Sequence, residues 1–153
     1  MLTPAWYLTD ADWFGLLPDA PRLDNDSRDL IGDAARLFHD EAGFSPARTV
    51  AATHVILLAV EHLGDTITHA ANQYDRTELA RLVCGLNLIL AHLAQTIQRA
   101  AERIDGRNVR ALDTAPAAAV QALTNSLSTA GANGELAAGH LKEAHLTLHG
   151  LSR

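Results

Sequence analysis

The sequence predicts an all-α protein: a five-helix bundle built on a long antiparallel helical hairpin, with an aromatic-rich N-terminal arm. Three observations carry that expectation. Ala (28) and Leu (24) supply about a third of the 153 residues, against 6 Val, 6 Ile and 7 aromatics, a balance that favours helix over sheet. Helix start and stop signals recur at helix-length intervals along the chain. Between two of those signals, Leu79, Val83, Leu86, Leu90, Leu93, Ile97, Ala100 and Ile104 recur at alternating spacings of four and three. A chain of this length can bury a core without covalent staples. Cys84 stands alone, which excludes an internal disulfide and a cysteine-based zinc site.

In chain order, Thr9 and Asp12 open a short helix through Trp13 and Phe14, ended by Gly15 and Pro18. Residues 18–25 read as a linker, so the predicted organisation is an arm over 1–25 and a helical bundle over 26–153. Asp26 can accept from free backbone N–H groups and start the first bundle helix, with Leu30, Ala34, Leu37 and Phe38 on one face and Gly43 as its stop. Ser45-Pro46 is an N-cap followed by proline at the first helical position, and the helix it opens runs to about Gln73, with Gly64 as its weak point. Asp75 with Glu78 forms a capping-box pair for the next helix, which Gly106 ends. After a charged connection, Thr114 precedes a shorter helix through Val120, Leu123 and Leu127, expected to stop near Gly131. Asn133-Gly134 then opens a last helix carrying Leu136, Leu141, Ala144 and Leu148.

The helices over 46–73 and 76–105 are each roughly 40–45 Å long at 1.5 Å per residue. The short link between them predicts that these two form the hairpin. Three shorter helices then crowd one end, and the half around 63–90 is left without cover. Burying a Leu, Ile or Val side chain is worth roughly 1.5–3 kcal/mol, so exposure of the whole apolar set there is untenable. The cover expected is the arm, a second copy of the chain, or both. The predicted interface is therefore Trp6, Tyr7, Trp13 and Phe14 with Ile67, Leu79, Leu82, Val83 and Leu86, and the expected partner is a second copy in a homodimer, with room for a further protein partner.

The net charge is −6, and residues 1–41 carry all of it, with nine acids against three arginines; the remainder balances nine against nine. That distribution disfavours nucleic acid as a partner. Arg99, Arg103, Arg107 and Arg110 form the one basic run, interrupted by Glu102 and Asp105 and explained by cations near a helix C-terminus. The N-terminus lacks the basic region and long apolar stretch of a signal peptide. The longest uncharged run, Leu82 to Gln98, contains Asn87, His92 and Gln95, which makes it a poor membrane span. The expectation is a cytoplasmic protein without membrane contact, and the Arg and Ala excess suggests a high-GC bacterial source.

Eight histidines raise the question of metal. His145 and His149 lie four apart, a spacing that puts two imidazoles on one helix face, and His62, Asp65 and His69 share a face on another. No Glu-x-x-His pair occurs, so the di-iron bundle signature is absent, and the expectation is no metal and no cofactor, with His62, His145 and His149 as the residues to watch. His54 and His92 sit in apolar runs and are expected as hydrogen-bonded core histidines. There is no Gly-x-Ser-x-Gly elbow and no Gly-rich phosphate loop, and Cys84 lacks a neighbouring base, so catalysis is not expected.

Glu41-Ala42-Gly43-Phe44-Ser45-Pro46 resembles the turn of bacterial helix-turn-helix repressors, and that resemblance implies a DNA-reading helix starting at Pro46. The sequence departs from the pattern at His39, where a small residue belongs, and at Thr49, where the pattern has a core position. Val55-Ile56-Leu57-Leu58 further along that helix calls for burial, not for a groove, and the family is not assigned. The function expected is a non-catalytic, self-associating structural or regulatory interaction module. The alternatives are a bundle binding a metal or small ligand through core histidines, including His54, His62, His92, His145 and His149, and a nucleic-acid-associated regulator.

Overall fold

The computed structural model describes residues 25–38, 45–106 and 108–151, and among these residues there is no strand. Four helices make up the described chain: α1 (Asn25–Phe38), α2 (Pro46–Ala70), α3 (Arg76–Asp105) and α4 (Ala117–Gly150), with short 3₁₀ turns at Ala71–Gln73 and Arg110–Leu112. The all-α class is as the composition predicts. Among the described residues the chain divides into two compact units at Tyr74–Asp75. The arm residues Trp6, Tyr7, Trp13 and Phe14 lie outside the described residues.

The unit beginning at Asp75 is an antiparallel hairpin of α3 and α4. Its start is local chemistry: the Asp75 carboxylate accepts from the Glu78 N–H at 2.8 Å, and the Glu78 carboxylate accepts from the Asp75 N–H at 3.0 Å. At the other end of α3, the Gly106 N–H donates to Glu102 O at 3.0 Å and the Asn108 N–H to Arg103 O at 2.9 Å. These bonds use carbonyls that the helix itself leaves open. Pro116, which has no amide hydrogen, immediately precedes α4.

The hairpin core is made of small residues. Ala80, Cys84, Asn87, Ala91, Ala94 and Ala101 are buried on α3, spaced by four and three with Gln98 in the remaining position, and Leu88 is buried beside them. On α4, Val120, Thr124, Gly131, Ala138 and His145 are buried, and the half-buried Leu127, Gly134, Leu141 and Leu148 complete the same alternation. This is the 3.5-residue period of a two-helix seam, with side chains short enough to bring the backbones close. The hydrogen bonds that cross it fix an antiparallel register: Arg76 with Leu151 O, His145 with Ala80 O, Asn87 with Ala138 O and Gln98 with Glu135.

Two sequence expectations are corrected here. The first concerns Gly131 and Asn133-Gly134, which do not divide the C-terminal region into two helices; α4 runs unbroken for 34 residues. Both glycines face α3. A Cβ at Gly131 would lie 2.6 Å from Gln98 Cγ, and one at Gly134 would lie 2.9 Å from Ala94 Cβ. A glycine costs about 1 kcal/mol of helix propensity, but here it allows an approach that no larger residue permits. Because α4 is continuous, its C-terminal half reaches the start of α3, and the region around Ala80 and Asn87 has its cover within the hairpin. The long hairpin is thus α3 with α4.

The second correction concerns the leucine periodicity of α3, which is not the hairpin seam. Leu79 and Leu93 remain 39% and 38% exposed, while the buried face is the neighbouring one through Cys84 and Ala91. Small side chains win because a close helix pair gains contacts along its whole length and lets side chains such as Asn87 and His145 reach the opposite backbone.

Substituting Gly134→Leu tests the close approach. Overpacking against Ala94 should cost about 3 kcal/mol and the improved helix propensity should return about 1. The expected outcome is a fall of roughly 4–8 °C in Tm at about 2–4 °C per kcal/mol. An unchanged Tm would show that the helices do not touch at this layer.

In the other unit, α2 begins as its residues predict: Ser45 is extended and its Oγ accepts from the Arg48 N–H at 3.3 Å, with Pro46 at the first helical position. Arg48 also donates to Leu37 O of α1. The Arg36–Asp33 ion pair on α1 is fully on the surface and contributes little. None of the residues of α1 and α2 whose burial is described is buried.

Candidate interaction surface

Helix α2 combines an apolar sequence with exposure. Val50 is 68% exposed, Leu57 57% and Leu58 56%, and Val55, Ile56, Val60 and Ile67 are also exposed. Because Val55 to Leu58 are consecutive and each residue advances about 100°, the apolar character is not confined to one stripe. The polar side chains of the helix turn back on its own carbonyls. Thr53 donates to Thr49 O at 2.9 Å, Thr66 to His62 O at 2.8 Å and Thr68 to Gly64 O at 2.8 Å. Such bonds satisfy hydroxyls locally and leave methyl groups outward. The expectation that Val55-Ile56-Leu57-Leu58 would be buried is not met among the described residues.

Two helical segments are long and apolar enough to cross a membrane by length and composition: Pro46–Gln73, with a window hydropathy of 1.3 and none of it buried, and Arg76–Asp105, with 1.4 and 33% buried. Core helices of soluble bundles meet the same criterion, and α3 is one half of the hairpin seam. Glu61, Asp65, His62 and His69 in the second half of α2 are costly groups to place in hydrocarbon.

The described residues of the predicted interface belong to both units. Leu79 is exposed, Leu82, Val83 and Leu86 are half-buried on α3, and Ile67 is exposed on α2 in the other unit. Arg99, Arg103 and Arg110 are exposed, and Arg107 lies outside the described residues. His54, His62 and His92 are exposed, which corrects the expectation of His54 and His92 as core histidines. They sit within largely apolar runs, but the faces they occupy are exposed. Cys84 is fully buried in the seam. Among the described residues no group of three or more His, Cys, Asp or Glu side chains is placed to hold a metal ion.

The polar residues that matter most to the seam had other readings in the sequence, His145 as a metal candidate and Asn87 as a polar break in an uncharged run, and Thr124 was not singled out. Asn87 is fully buried and its Nδ2 donates to Ala138 O at 2.6 Å. His145 is 5% exposed, with Nδ1 3.0 Å from Ala80 O. Thr124 Oγ1 is buried without a hydrogen-bond partner among the described residues. A buried amide or imidazole bonded to the opposite backbone allows one register only, since any slip leaves its polar atoms unpaired. The signal that would have located these residues is the run of small side chains spaced by four and three, parallel to the more conspicuous leucine run.

Comparison with protein-family models, with curated proteins and with solved structures finds no match for this chain.

Proposed function

We propose that this protein is a non-catalytic helical interaction module that self-associates as a homodimer, working in the bacterial cytoplasm. The observation that supports this most directly is α2, an apolar helix of 25 residues with no buried residue. Monomeric soluble proteins rarely leave a contiguous apolar surface of that extent open. Removing seven partly exposed Val, Leu and Ile side chains from water at about 25 cal/mol per Å² is a substantial driving force for association.

A second copy is the occupant the sequence of α2 favours. A two-fold interface uses the same patch on both partners, and the stretch from Thr49 to Val60 is free of acidic and basic side chains apart from His54. Parallel pairing would set Glu61 against Glu61 and Asp65 against Asp65. Antiparallel crossing about Ile56–Leu57 instead brings the acidic end of each helix toward the Arg48 end of the other. The half-exposed leucine face of α3 and the aromatic arm with Trp6, Tyr7, Trp13 and Phe14 supply further surface for the assembly. Partner choice in this reading is protein, not membrane or nucleic acid, because the charge-bearing half of α2 and the acidic N-terminal segment suit neither.

Light scattering or sedimentation of the full chain across a dilution series tests the reading. The expected mass is twice 16.4 kDa, falling toward the monomer only on strong dilution. A mass of 16.4 kDa at every concentration would overturn it.

A further inference from the structure

We infer that His145 and His149 form a two-imidazole site for a divalent transition cation of the class that prefers nitrogen ligands, such as Zn²⁺, Ni²⁺ or Cu²⁺, on the last turns of α4. This goes beyond the self-association reading and is independent of it.

Of the eight histidines in the chain, these are the only two separated by three or four residues, the spacing at which helical side chains meet. They do meet: the ring centroids lie 4.7 Å apart with the planes at 71°. Their environments are complementary. His145 is 5% exposed and its Nδ1 lies 3.0 Å from Ala80 O. A carbonyl oxygen has no hydrogen to give, so Nδ1 carries the proton and Nε2 carries the lone pair. Holding a metal-binding imidazole by its second nitrogen is the usual device that sets tautomer and ring orientation for a ligand. His149 is exposed, so its ring can rotate to share an ion with Nε2 of His145.

The surroundings select the kind of ion. Hard cations such as Mg²⁺ and Ca²⁺ require several oxygen ligands, and the two carboxylates at the start of α3, Asp75 and Glu78, each accept from the other's backbone N–H in the capping box. Arg76, which donates to Leu151 O at 2.6 Å, adds a positive charge at this end of the hairpin. The final carbonyls of α4 act in the other direction and favour a cation. Neutral imidazoles with borderline-soft metals are the chemistry that remains. With two protein ligands, water fills the other positions, and the affinity is modest.

One consequence follows for the fold. The tautomer that binds metal through Nε2 is the one that Ala80 holds through Nδ1. Metal binding therefore favours the paired arrangement of α3 and α4 and stabilises it by mass action.

The test is thermal unfolding of tag-free full-length protein with excess NiCl₂ or ZnCl₂, compared with EDTA. Metal is expected to raise Tm by about 2–4 °C. His149→Gln removes an exposed ring and is expected to keep the metal-free Tm while losing the shift. His62→Gln, on exposed α2, is expected to keep the shift. No shift in the unsubstituted protein, an equal shift in His149→Gln, or loss of the shift in His62→Gln would each overturn the assignment.

Discussion

Asn87→Asp is expected to destabilise the hairpin by about 3 kcal/mol at neutral pH, although the two side chains have nearly the same shape. Asn87 is fully buried, and its Nδ2 sits 2.6 Å from the Ala138 carbonyl oxygen. The substitution replaces that donor with an oxygen that has no proton at pH 7, so two acceptors face each other and a charge lies in a dry seam. In thermal unfolding this corresponds to roughly 6–12 °C in Tm. The pH dependence has a definite sign. Burial and the facing carbonyl raise the folded-state pKa of the introduced carboxyl above its unfolded value of about 3.9. The loss is therefore complete above the raised folded pKa and is relieved as pH falls toward the unfolded one, where the protonated carboxyl donates to Ala138 O. Denaturation curves at neutral and mildly acidic pH check this. A loss independent of pH would show that the seam near Ala138 admits water.

If the proposed dimer forms through α2, the double substitution Leu57→Glu with Leu58→Glu is expected to leave a monomer of 16.4 kDa. These residues are 57% and 56% exposed. They stand about 100° apart around α2, so together they cover a broad arc of its apolar surface. In a two-fold dimer the change withdraws four leucines, each already about half buried, and so removes roughly 3–6 kcal/mol, equivalent to a weakening of about 100-fold or more in Kd. Glutamate is a good helix former and neither site is buried, so the far-UV circular dichroism should be unchanged. A double variant that keeps the dimer mass would place the interface elsewhere.

What was legible in the sequence follows a physical division. The starts of α2 and α3 were readable at Ser45-Pro46 and at Asp75 with Glu78, because a cap is made within one turn by residues adjacent in the chain. The end of α3 at Gly106 was readable for the same reason. Of the candidate site, the apolar content of α2 and the imidazole pair at His145 and His149 were visible as spacing. Their exposure and their setting against Ala80 were not, because both depend on what lies across the seam.

The choice of buried face on α3 belongs to the tertiary structure. Judged by hydrophobicity, the run from Leu79 to Ile104 outranks the run from Ala80 to Ala101, and the sequence reading took the leucines as the main seam and Cys84, Leu88 and Ala91 as a second buried face. Packing ranks by closeness of approach as well as by apolar area, and a seam of alanines opposite Gly131 and Gly134 lets the two backbones meet where leucines would hold them apart. The same cause turned an apparent helix stop at Gly131 and an apparent start at Asn133-Gly134 into the middle of a 34-residue helix. Glycine's cost is local and shows in the sequence, whereas its compensation comes from Ala94 and Gln98 on another helix. The sequence by itself determined an all-α chain and the caps that start two of its helices. The pairing of α3 with α4, the polar register at Asn87 and His145, and the exposure of α2 were decided by contacts between residues far apart in the chain.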